Sequence, residues 1–312
     1  MSLRIRRARP ADFPAVMRLL ESDRSLLPDV LWQTLPKLLI QLMQSDLVML
    51  CVIEETEPLE VRFLGATAFL NPALRDCITG HPTESALSMA LRLQIRHGSA
   101  FLNRRQVADA NRRGELILLN FFGTIGGLLE SGVALHEAAL KSTTAWTFFH
   151  SGYGFAEVLA ESSDPLQAEL LATARMRIVR RRPGHDGRPT WLFRVTREDA
   201  LRAPAAWPFF AMVPAAPRFN FTRQQQEILE WALLDFSDRD IMQELALTDE
   251  SIKKRWRSIY RTAGRVEPAL AGDKVGGDLR RDLLQRLRYN LCELRPYRRS
   301  GRLPPAGESV AG

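Results

Sequence analysis

Four prolines crowd the stretch between Arg202 and Phe221, in Ala203-Pro-Ala-Ala-Trp-Pro and Val213-Pro-Ala-Ala-Pro-Arg. Each removes an amide donor and fixes φ, so neither a helix interior nor a central strand can run through them. Apolar periodicity disappears there too. The 312-residue chain is therefore expected to fold in parts. These are a sheet domain over residues 1–202, a linker over 203–220, a helical module over 221–265, and an amphipathic helix with a basic tail over 266–312. The tail after Arg295 lacks an apolar pattern and is expected to be partly disordered. Both large parts are long enough to bury a core.

Hydrophobic residues make up 46% of the chain and charged residues 25%, the balance of a soluble globular protein. No apolar run approaches the ~18 residues a membrane helix needs. The basic start, Met1 to Arg7, leads into Ala8-Arg-Pro-Ala-Asp-Phe rather than an apolar stretch, so no secretory leader is expected. Cys51, Cys77 and Cys292 are scattered, which reads as free thiols in a cytoplasmic protein. The five histidines show no H-x-x-x-H or H-E-x-x-H spacing. No metal site is expected on these grounds, and no catalytic residue or cofactor is marked elsewhere.

Three helices can be read between Phe221 and Gly264. Thr222 with Gln225 forms a capping box, Ser237 with Asp240 a near variant, and Thr248 a third N-cap. Ile228, Leu229, Ala232 and Leu233 mark the first helix; Ile241 and Leu245 mark the second. Ile252, Trp256, Ile259, Tyr260 and Ala263 give the third one buried face. Its other face carries Ser251, Lys253, Lys254, Arg257, Ser258 and Arg261. From Lys253 to Arg265 no acidic residue occurs. Two short helices, a tight turn and a longer cationic helix make a helix-turn-helix layout, and a helix of that diameter fits the major groove. A helical bundle with a solvated basic face is the plainer alternative.

The run from Phe221 to Gly264 resembles the LuxR-type DNA-binding domain without a gap. The matching positions are Thr222, Glu227-Ile228-Leu229, Ser237, Ile241, Leu245, Thr248, Ser251-Ile252-Lys253, Ile259-Tyr260-Arg261 and Gly264. The resemblance implies that residues 249–263 are the recognition helix. Lys253, Lys254 and Arg257 would then reach base edges and nearby phosphates, and Ser251 and Arg261 would support the phosphate backbone. It also implies a homodimer on two-fold related duplex DNA. Asp235 departs from the usual glycine, Gln225 from a common glutamate, Arg255 from a frequent histidine, and Thr262-Ala263 from Lys-Leu. Residues 277–294 then repeat leucine at 279, 283, 284, 287, 291 and 294, an amphipathic helix that packs back on the module or serves dimerisation or DNA flanking.

The first two hundred residues alternate strands and helices, an α/β or α+β domain. Strands are expected near 3–7, 47–53, 61–70, 116–122, 155–159 and 191–195, and helices near 11–21, 31–43, 84–96, 104–112 and 134–151. Ile5-Arg-Arg-Ala-Arg-Pro-Ala-Asp-Phe and Thr143-Thr-Ala-Trp-Thr-Phe-Phe-His-Ser-Gly-Tyr-Gly-Phe resemble the opening and a late helix of the GNAT acyltransferase superfamily. That family cradles coenzyme A pyrophosphate on backbone amides at a helix start. Ala110-Asn-Arg-Arg-Gly-Glu lacks the second glycine for this, and Gly123-Thr-Ile-Gly-Gly reads as following the wrong strand. The expectation is therefore a DNA-binding transcriptional regulator, not an enzyme, whose amino-terminal domain senses a small-molecule effector or makes a dimer platform. The alternative is an acyltransferase delivered by its DNA-binding domain; a sigma-like factor is a third reading.

Overall fold

The computed structural model describes residues 3–57, 59–202, 216–271 and 277–297. Most of the expected linker and the tail beyond residue 297 lie outside the described residues. One mixed seven-stranded sheet, in the order β1-β2-β3-β4-β5-β7-β6, organises the first part. Its strands are β1 (Leu3–Arg7), β2 (Val48–Thr56), β3 (Leu59–Leu70), β4 (Leu116–Thr124), β5 (Phe155–Ser162), β6 (Arg177–Pro183) and β7 (Pro189–Thr196). Every pairing is antiparallel except β4 with β5.

Helices α1 (Phe13–Leu20) and α2 (Asp29–Gln44) join β1 to β2. Phe13, Val16 and Leu20 of α1 and Leu31, Leu35, Leu39 and Leu42 of α2 recur at helical spacing and are buried in the main core. Arg6 points inward from β1 at 2% exposure, where Glu54 at 2.7 Å and Asp12 at 2.6 and 2.9 Å compensate its charge. Three helices, α3 (Arg75–Gly80), α4 (Ala86–His97) and α5 (Arg104–Arg113), lie between β3 and β4. Next come α6 (Gly126–Glu130) and α7 (Leu135–His150) before β5, α8 (Pro165–Thr173) after it, and α9 (Arg197–Arg202) after β7. Edge strand β6 was not foreseen: Arg177-Ile-Val-Arg-Arg-Arg-Pro shows no apolar alternation because it is mostly exposed, and its charge blunts the sheet edge.

The second part is helical. It comprises α10 (Arg223–Leu233), α11 (Asp238–Glu244), α12 (Asp249–Gly264) and α13 (Gly277–Arg288). Both capping boxes form: Thr222 with Gln225, and Ser237 with Asp240. Thr248 accepts from the Ser251 amide at the start of α12. Ile228, Leu229, Ile241, Ile252, Trp256, Ile259 and Tyr260 form one core, and Leu283 and Leu287 of α13 close it. The expected helix to Leu294 stops at Arg288 instead. Asn290 turns its side chain back onto the Arg286 carbonyl at 2.9 Å, and residues 291–294 make a separate 3-10 turn.

The parts dock through charge on β1 and just after it. Arg7 pairs with Glu230 of α10, while Arg4 and Arg9 pair with Asp240 and Glu244 of α11. Arg295 closes the seam from the other side, donating to the carbonyls of Ser151 (2.8 Å) and Phe148 at the end of α7. No described helix is long and apolar enough to cross a membrane.

Candidate functional site

All five residues expected to meet DNA lie on α12. Ile252, Trp256, Ile259, Tyr260 and Ala263 bury one face, so the remaining positions must face outward. Lys253, Lys254, Arg257 and Arg261 are exposed and Ser251 half-exposed, together with Ser258. Lys254, Arg257 and Arg261 stand at i, i+3 and i+7, one continuous stripe. Lys253 turns back to Asp249 in an exposed pair, and Ser251 accepts from the Thr248 hydroxyl at 2.9 Å. The acids Asp249 and Glu250 sit in the first turn, where the helix dipole favours them.

Behind that stripe the helix is held firmly. Trp256 donates its indole N–H to Asp238 at 3.0 Å, Arg280 of α13 binds the same carboxylate at 2.8 Å, and the Arg280 guanidinium lies 4.5 Å from the Trp256 ring centre. Gln225 donates to Ser258 and Thr262 at 3.1 and 3.0 Å, tying α10 to α12. Gln225 thus bonds two neutral hydroxyls. Asp235 adopts φ +62°.

A second feature lies in the sheet, and no sequence motif marked it. β4 and β5 pair from Leu116↔Phe155 to Asn120↔Ala160 and then part. On the other side of β4, a bulge sets Ala66 opposite Phe122 and Thr67 opposite Asn120, leaving Phe121 as the extra residue. Over this end of the pairing, between one face of the sheet and helices α7 and α8, lies a cavity of about 200 Å³. Its walls include Asn120 and Phe122 of β4, Val158 and Ala160 of β5, Trp146 of α7 and Gln167 of α8. Crevices at the carboxyl ends of diverging strands are where open α/β sheets take ligands. Gly123-Thr-Ile-Gly-Gly closes β4 and leads straight into α6. β4 is one strand of the parallel pair, so this turn stands at its carboxyl end.

Titratable groups near the gap have structural partners. Glu161 accepts from the amides of Ala86 and Leu87 at 3.0 and 2.9 Å, capping α4; burial pushes its carboxyl up despite Arg182. Glu157 binds Arg75 at 2.8 Å. His150 is wholly buried: Nδ1 meets the Trp146 carbonyl at 2.7 Å, which fixes the proton there, and Nε2 accepts from the Thr67 hydroxyl at 3.0 Å. Burial lowers its pKa to about 3, keeping it neutral.

No protein-family profile and no curated protein matches the chain. Solved structures do resemble part of it. A mosquito arylalkylamine N-acetyltransferase-like protein shares 10% identity at a TM-score of 0.38, over 62% of this chain and 100% of its own. A GNAT-family acetyltransferase from Streptococcus agalactiae shares 12% at 0.35, over 62% and 95%. The spermidine/spermine N-acetyltransferase of Vibrio cholerae shares 9% at 0.35, over 64% and 96%.

Proposed function

We propose that the chain is a DNA-binding regulator in which α12 reads duplex DNA under the control of a GNAT-like amino-terminal domain. One observation carries this reading. The apolar face of α12 is spent on its own core, while Lys253, Lys254, Arg257 and Arg261 all stand in solvent and the sheet docks on α10 and α11 instead. The layout supports major-groove entry, with lysine and arginine neutralising phosphates or donating to guanine edges. Binding as a homodimer to a two-fold site is part of the same proposal. The test is titration of full-length protein against its own upstream DNA and random duplex across a salt series. Selective, salt-dependent binding is expected; equally weak binding to both would refute it.

A second reading, a GNAT-like acyltransferase domain over residues 1–202 delivered by its DNA-binding domain, is favoured by the parting of β4 and β5 and by the glycine-rich turn that closes β4. Titration of the whole chain with acetyl-coenzyme A separates the two. Saturable binding followed by thioester cleavage would support acyltransfer; no heat of binding would remove it.

A further inference from the structure

The sixteen lining residues of the cavity between the sheet and helices α7 and α8 include not one ionisable side chain. Its polar groups are neutral: the amides of Asn120 and Gln167 and the hydroxyls of Ser142 and Thr143. Asn120, with its amide oriented so that Nδ2 donates to the carbonyls of Phe122 (3.0 Å) and Ala66 (3.2 Å), is committed to the strand bulge. The Gln167 side chain makes no hydrogen bond among the described residues. The rest of the wall is aromatic or aliphatic, chiefly Phe63, Phe122, Trp146, Leu170 and Met176. A charged ligand entering here would lose its hydration with nothing to replace it, whereas a neutral one with a single amide or hydroxyl would find partners. At about 200 Å³ the space exceeds the roughly 150 Å³ apolar cavity that admits benzene, so one ring with a short polar arm fits.

The same wall reaches the helix-turn-helix. Ala139, Ser142, Thr143 and Trp146 line the cavity from α7, at i, i+3, i+4 and i+7. Two residues further on, Phe148 packs against the core of the helical part as well as the sheet core. Arg295 then caps α7 through the carbonyls of Phe148 and Ser151. Gly152 lets residues 291 and 292 lie directly against the turn that follows.

We infer that this cavity is a binding site for a small uncharged amphiphile, and that α7 transmits its occupancy to the docked helical part. The transmission half rests on the regulator reading; the ligand half does not. The probes are an isosteric pair, 4-phenylbutanamide and 4-phenylbutanoate, with acetyl-coenzyme A as a third titrant, each followed calorimetrically on the full chain. The amide should bind saturably and the carboxylate at least tenfold more weakly. Ser142→Phe, which fills the cavity from a half-exposed helix position, should abolish binding with an unchanged circular dichroism spectrum. Gln167→Leu keeps the shape and should weaken the amide severalfold, which guards against a misfolded Ser142→Phe. Equal affinity for amide and carboxylate, tighter binding of acetyl-coenzyme A, or undiminished amide binding by both variants would overturn the assignment. Amide-bound protein should also show slowed backbone hydrogen exchange over residues 291–295; unchanged exchange there overturns the transmission. Calorimetry needs no DNA, so failure of duplex binding would strike the regulator reading alone.

Discussion

Arg7 at the end of β1 grips Glu230 of α10 with two nitrogens, Nη2 reaching Oε2 at 2.9 Å and Nε reaching Oε1. Burial by itself would raise the Glu230 carboxyl, but Arg7, with help from Arg295, holds it below the usual carboxylate range. The pair spans 223 residues of sequence and joins the sheet to the helical part. Arg7 is 45% exposed on its side chain, so solvent screens part of the interaction. A double-mutant cycle of Arg7→Ala and Glu230→Ala is expected to give a coupling of about 1–2 kcal/mol in denaturant unfolding. A coupling near zero would mean that the contact contributes nothing to docking.

Gly152 offers a cleaner probe of the same seam. It has φ +88°, and a Cβ there would fall 2.4 Å from the Cys292 amide nitrogen. Gly187 has φ +83° with nothing near its missing Cβ, so it shares the strain without the collision. Gly187→Ala should cost about 1–2 kcal/mol, the left-handed penalty alone. Gly152→Ala should cost clearly more, since residues 291–292 must move away. Equal melting temperatures for the two variants would contradict the close approach.

Two buried groups bend stability with pH in opposite directions. His150 is lowered to about 3 by burial, so the unfolded chain binds its proton first; its contribution is full above about pH 6.5 and is lost as pH falls. Asp23 is raised to about 6 by burial, against hydrogen bonds from Ser163; its contribution is present at low pH and is lost as pH rises toward 6. Between pH 4.5 and 6 each amounts to at most one proton, about 1.4 kcal/mol per pH unit. His150→Gln should therefore give a stability-against-pH slope below that of the natural chain, and Asp23→Asn one above it. Parallel curves for all three proteins would show that neither group is protonated differently on folding.

What could be read beforehand was local in sequence. The caps at Thr222, Ser237 and Thr248 act over three residues, and all three form. The backbone of Asp235 adopts a φ of +62°, which its residue type does not announce. β6 was missed because Arg177, Ile178, Val179 and Arg181 are all exposed, which erases the alternation that betrays a strand. Helix α8 was missed although Asp164-Pro165 is an N-cap followed by proline at the first helical position. The cavity had no local signature at all: Phe63, Asn120, Trp146, Ala160 and Gln167 meet only once the strands have paired and diverged.

The central claim is that the solvent face of α12 contacts the phosphates and bases of duplex DNA. The most direct test compares the full-length protein with Lys253→Ala, Lys254→Ala and Arg257→Ala on one duplex across a salt series. Each variant is expected to bind more weakly, and loss of a phosphate contact should reduce the slope of log K against log salt by about one unit. Affinity and slope unchanged in all three would contradict the assignment and return α12 to the role of a solvated helix.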